Sequence, residues 1–212
     1  TGSPMREVIN SLESKISSSK VHDRLQIEHG KYLVGSFHRQ ENVDSPHRLS
    51  KVIDLVNGLT EQLGMKIVIP VHPRTLDKLE SGGLKLGESV MSIEPLGIVD
   101  YLALQKHSYA TVSDSGTLAE ESSIMGFAGV SAREATERPE ANHLAKLSLG
   151  GLSVENCLEA ILLQRNKPST ELPEGYEEMN FSSRVANILL STARRRDFLT
   201  ADFRETLGGA SF

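Results

Sequence analysis

Ser113-Asp114-Ser115-Gly116-Thr117 is a polar, glycine-containing turn set between the apolar run 109–112 and a helix-like segment, 118–125. Strand, tight turn and helix start together make an anion-binding arrangement. The first-turn N–H groups have no intrahelical partner, the positive end of the helix dipole faces outward, and the Ser and Thr hydroxyls add donors. Gly116 lets an anion approach the backbone closely. One turn on, Glu120 and Glu121 supply carboxylates able to hold vicinal hydroxyls such as those of a ribose. The combination points to a nucleotide diphosphate.

Two more polar clusters follow apolar runs directly. His38-Arg39-Gln40-Glu41-Asn42 comes after 31–37, and His72-Pro73-Arg74 comes after 66–71. A histidine at a strand end can donate to an oxyanion or relay a proton near neutral pH. Pro73 has a second reading, as the residue that stops a strand and opens a helix at its first position.

The elements that position these residues are legible as periods. Met5, Val8, Ile9, Leu12 and Ile16 recur at helical spacing over 5–16, as do Leu49, Val52, Ile53, Val56 and Leu59 over 47–63. Residues 31–37 and 66–71 (KIVIPV) read as buried strands. Then follow a helix from about 74, a strand at 90–93, a helix at 99–106, the strand 109–112, the helix 118–125, short strands at 129–131 and 146–149, and a helix-like run at 154–163. Strands separated by helices predict an α/β fold, a parallel sheet covered on both faces, with ligands at the carboxyl ends of its strands. All three polar clusters occupy that position.

Three regions are expected: an N-terminal helix and interdomain segment over 1–22, a ligand-binding domain over 23–165, and a linker, C-terminal helix (177–196) and tail over 166–212. Arg194 to Arg196 read as cations suiting the last helical turn.

Composition excludes several classes. At 212 residues, with 38% hydrophobic and 24% charged residues, the chain is an ordinary globular one. A net charge of -5 gives no reason to expect nucleic acid as a partner. The single Cys157 cannot form an internal disulfide and reads as a packed thiol, which fits a reducing cytoplasm. No apolar run suggests a membrane span or export. The seven scattered histidines show no metal-ligand spacing, and no GxGxxG or P-loop pattern supports NAD or ATP, so neither metal nor cofactor is expected.

Five motifs in order carry a resemblance: GSFHRQEN (35–42), VHPR (71–74), IEPL (93–96), SDSGT with its EE pair, and TERPE (136–140). They resemble the second domain of the non-hydrolysing UDP-N-acetylglucosamine 2-epimerases over roughly residues 1 to 150. SDSGT..EESSIM is most similar to a capsule and O-antigen branch acting on UDP-2-acetamido-2,6-dideoxy-L-hexoses, the L-talose 2-epimerase type. The resemblance implies a Rossmann-like sheet forming the second half of a GT-B two-domain fold, with an amino-terminal domain absent from this chain, a UDP-sugar in the cleft between the halves, and homodimers in some relatives.

Carried over residue by residue, the resemblance makes His38 the active-site histidine, near the departing diphosphate or the sugar, with Arg39, Glu41 and Asn42 beside it. His72 and Arg74 fall in the family's HP motif near the cleft. Tyr101 matches an aromatic beside the uracil ring, although among Leu102 and Leu104 it also reads as core. Ser115, Gly116 and Thr117 take the diphosphate and Glu121 the ribose, with Glu120 its neighbour; a first-turn glutamate also simply suits the dipole. Arg138 and Glu140 would lie near the same phosphates or sugar, or form a purely structural Arg-Pro-Glu helix start. The chain departs from the family pattern at Phe127-Ala128-Gly129 and Ala141-Asn142-His143-Leu144. The implied reaction inverts C2 of an N-acetylated sugar through UDP elimination and re-addition. A GT-B glycosyltransferase domain and a non-catalytic nucleotide-sugar module are the competing readings.

Overall fold

The structure, a computed structural model, describes residues 2–71, 82–167 and 171–192. Six strands, β1 (Tyr32–Ser36), β2 (Lys66–Pro70), β3 (Val90–Ile93), β4 (Ala110–Ser113), β5 (Gly129–Ser131) and β6 (Leu147–Leu149), form one sheet in the order β3-β2-β1-β4-β5-β6. Every pairing is parallel, with Val34 opposite both Val68 and Thr111. The chain walks outward from β1 in one direction and from β4 in the other. The loops after these two central neighbours therefore diverge and leave a crevice at their carboxyl ends.

Alternation along the strands divides the core between two faces. Leu33, Ile67, Ile69 and Val112 pack against α4 (Pro46–Leu63) and α8 (Val154–Asn166), meeting Val52, Leu55, Val56, Leu59, Cys157 and Ile161. Tyr32, Val34 and Val68 point the other way. They meet Ile9 and Ile16 of α1 (Pro4–Ser17), Val21 of α2 (Val21–Leu25), and Leu102 and Leu104 of α5 (Ile98–His107). Each fully buried aliphatic side chain contributes about 1.5–3 kcal/mol. Burial on both faces explains why β1 and β2 read as continuous apolar runs.

Among the described residues, three helices begin on serine caps. Ser3, Ser45 and Ser153 accept from Met5 N, Arg48 N and Asn156 N at the starts of α1, α4 and α8. Pro4 and Pro46 fill positions where no N–H is needed. α6 (Leu118–Met125) begins differently: Thr117 makes no side-chain cap.

Most expected elements are present with bounds within two or three residues. The short helix α3 (Gln40–Val43), where a plain polar loop was expected, and α7 (Pro139–Leu144) complete the set before α9. The carboxyl-terminal helix, α9, begins later than expected, at 181, and is described over 181–192. The helix expected from about residue 74 lies outside the described residues. Among the described residues no helix is long and apolar enough to cross a membrane.

Candidate functional site

The crevice between β1 and β4 is built around one side chain to which the sequence reading assigned no role. Asp114, fully buried, follows β4 directly. Its carboxylate accepts from His38 N (3.1 Å), Arg39 N (3.1 Å) and Asn42 Nδ2 (2.9 Å), and its own N–H donates to Ser36 O at 3.1 Å. The loops after the two central strands are thereby joined.

On the β1 side, His38 is well exposed, with Nδ1 3.5 Å from both Asp114 Oδ1 and Ser36 Oγ. Arg39 donates to Glu41 at 3.3 Å near the surface. Asn42 differs from the expectation of a ligand. It is buried, and both ends of its amide are taken, since Arg48 Nε donates to its Oδ1 at 2.9 Å while its Nδ2 serves Asp114. It braces the loop from behind.

On the β4 side the turn is preset by its own hydroxyls. Ser115 N donates to Ser113 Oγ (3.0 Å), Thr117 N donates to Ser115 Oγ (3.3 Å), and the Ser115 and Thr117 hydroxyls lie 2.9 Å apart. No side chain caps the start of α6, and an uncapped helix start of this kind favours anions. Gly116 is not in the left-handed region, and a Cβ there would meet nothing within 4 Å. Neither backbone strain nor a close contact within the described chain requires a glycine there.

The two glutamates separate. Glu120 is buried, accepts from Ser3 Oγ at 2.7 Å and pairs with Arg138, so it does not face the crevice as a free hydroxyl ligand. Arg138 in turn donates to Gly116 O at 3.1 Å and so abuts the turn. Glu121, also buried, accepts from Gln105 Nε2 at 2.8 Å; burial holds its carboxyl above the usual carboxylate range, and the Gln105 and Thr117 hydrogen bonds oppose that shift. Glu140 is engaged too, its Oε1 accepting from Tyr176 OH at 2.9 Å.

Tyr101 is half-buried against the α1/α5 face of the core, with its phenol in reach of the Ser36 and Ser113 hydroxyls. Burial pushes the phenol up to about 12, so it stays a neutral donor at the crevice floor. Arg133, also unassigned from sequence, is nearly covered. It forks onto Glu137, within electrostatic range of Glu41 and Asp114. Sequence held little signal for Asp114 or Arg133, because their significance lies in contacts across the sheet. His72 and Arg74 lie outside the described residues.

A family model described as UDP-N-acetylglucosamine 2-epimerase matches residues 1–190. The chain belongs to this family. It is 36% identical over 143 residues to the UDP-N-acetylglucosamine 2-epimerase of Methanococcus maripaludis, a match covering 65% of this chain and 39% of that relative. Its fold is similar to that of the Methanocaldococcus jannaschii UDP-GlcNAc 2-epimerase solved in complex with UDP-GlcNAc and UDP (TM-score 0.80, 25% identity), covering 90% of this chain and 54% of that one. It is similar also to the Rickettsia bellii UDP-N-acetylglucosamine 2-epimerase (TM-score 0.75, 28% identity), covering 88% and 51%. This epimerase-family chain thus spans about half the length of the relatives it matches, or less. Its described sheet has a Rossmann-like α/β fold.

Proposed function

We propose that this chain is the carboxyl-terminal, UDP-sugar-binding half of a UDP-N-acetylhexosamine 2-epimerase that works with an amino-terminal Rossmann-like domain in a GT-B arrangement. The observation that carries the reading is the uncapped start of α6 at the crevice between β1 and β4, flanked by the Ser115 and Thr117 hydroxyls and by Arg138. A diphosphate placed there would accept from backbone amides whose dipoles are already oriented, which is the form of stabilisation a departing pyrophosphate needs. Glu121 stands one turn further on for a ribose, and His38 lies across the crevice for the sugar side. Elimination of UDP from C1 with loss of the C2 proton, reprotonation on the other face and re-addition of UDP would invert C2.

The second half of the machine is supported by the carboxyl-terminal helix. Ile188, Leu189 and Leu190 in 181–192 are 50%, 62% and 72% exposed, an apolar run that the rest of the chain leaves uncovered. An amino-terminal domain is the proposed cover. The substrate is proposed to be a 6-deoxy-L-hexosamine nucleotide of the capsule and O-antigen type, handled in the cytoplasm.

Calorimetric titration with UDP tests the binding half, with weak binding expected. An assay for the C2 epimer, run with and without the supplied amino-terminal half, tests the catalytic reading. Brisk turnover by the chain alone would refute it. A new glycosidic bond in place of the epimer would establish a GT-B glycosyltransferase, and binding without rescue a non-catalytic module.

A further inference from the structure

A diphosphate site gains nothing from an anion behind it, yet Asp114 is buried directly under the proposed one. Burying a carboxylate is costly unless donors surround it. Here the donors are His38 N, Arg39 N and Asn42 Nδ2, all from the loop that carries His38. The imidazole of the same residue turns its Nδ1 edge toward Asp114 Oδ1 and Ser36 Oγ, each 3.5 Å away, while most of the ring stays exposed.

We infer that Asp114 is the positioning residue for His38: it ties down the loop and directs the imidazole so that Nδ1 carries the ring proton and Nε2, on the outward edge, is left as the acceptor. A carboxylate behind one ring nitrogen selects the tautomer at the other. Such contacts are commonly long before substrate arrives and shorten with it. The Ser36 hydroxyl lies on the same edge, within reach of the Tyr101 phenol. What His38 does with that nitrogen rests on the epimerase reading; the placement of the ring does not.

The test is long-range proton–nitrogen NMR on the 212-residue chain labelled with nitrogen-15 at histidine, at about pH 8, where imidazole is neutral. The His38 signals are assigned by their loss in His38→Gln. Wild type is expected to show a pyrrole-type Nδ1 and a pyridine-type Nε2 at His38. Asp114→Asn, which cannot serve the same donors, is expected to exchange the two patterns there while His143 stays unchanged. An Nε2–H tautomer in the wild type overturns the inference, and so does an Asp114→Asn protein that lowers the melting temperature but leaves the His38 pattern intact. If that variant does not fold, the wild-type spectrum decides. Failure of UDP to bind would remove the proposed function without touching either result.

Discussion

Arg138 pairs with Glu120 while donating to Gly116 O at 3.1 Å, so a single guanidinium joins the buried flank of α6 to the turn that opens it. Ser3 Oγ extends the network to the start of α1, and Ser3 N donates to Gly175 O at 3.1 Å. The leading and trailing segments of the described chain therefore meet at the back of the candidate phosphate site.

That pair is asymmetric in burial, with side-chain exposures of 36% for Arg138 and 7% for Glu120. Arg138→Ala takes the charged partner from a covered carboxylate, leaving it the Ser3 hydroxyl, and should destabilise the chain by roughly 1–3 kcal/mol. Glu120→Ala leaves a guanidinium that can reach water, and should cost less. Urea unfolding midpoints check the order, which an equal or reversed pair of values would contradict.

Ser115→Ala removes the acceptor for Thr117 N and one hydroxyl from the turn. UDP affinity should fall roughly two- to tenfold, the worth of one net hydrogen bond. Because Ser115 is partly exposed, the melting temperature should barely move. Calorimetry together with a thermal melt separates this from a folding defect.

At the opposite end of the sheet, His22, His29 and His107 form a ring cluster, with His29 stacked on His107 at 4.1 Å and edge-on to His22 at 4.2 Å. Tyr32 OH donates to Leu104 O at 2.7 Å, so its oxygen accepts from His22 Nε2 at 2.8 Å. Burial, then the neighbouring histidines, lower His22 from 6.5 to about 4, against an opposing pull from Asp23. Burial, His29 and Lys106 lower His107. A histidine whose folded value lies below its unfolded one favours the fold above the unfolded value, and that advantage disappears on acidification. Stability should therefore decline as pH falls from about 6.5 toward 4. His107→Gln should flatten the decline, and melting temperatures recorded across that window provide the check.

Gly150 has no room for a side chain: a Cβ there would lie 2.5 Å from Cys157 Sγ and 2.8 Å from Val130 Cγ1. Gly150→Ala should destabilise by about 1–3 kcal/mol, the usual cost of overpacking. Adding Cys157→Ala should recover part of it, a non-additivity readable in a double-mutant cycle. Additive losses would show that the strain lies elsewhere.

Long periodic segments were legible from residues alone. β3 and α6 begin and end where the pattern places them, and the two faces of β1 and β2 follow from their unbroken apolar runs. α3 escaped because four residues are too few to show a period, and one of them, Asn42, is held by Asp114 from across the sheet. The resemblance favours Glu121 over Glu120 for the ribose, but adjacent residue types alone do not separate them. Only the packing of α6 shows that one turns to Ser3 and Arg138 and the other to Gln105.

By itself, the amino-acid order determined the alternation of strand and helix and the polar turns that end β1 and β4, since both arise from side-chain periods and local backbone preferences. Tertiary structure alone decided that those two turns are neighbours. The reversal of strand order between β1 and β4 brings His38 to Asp114, 76 residues away, and a contact of that range is set by the packing of the whole sheet.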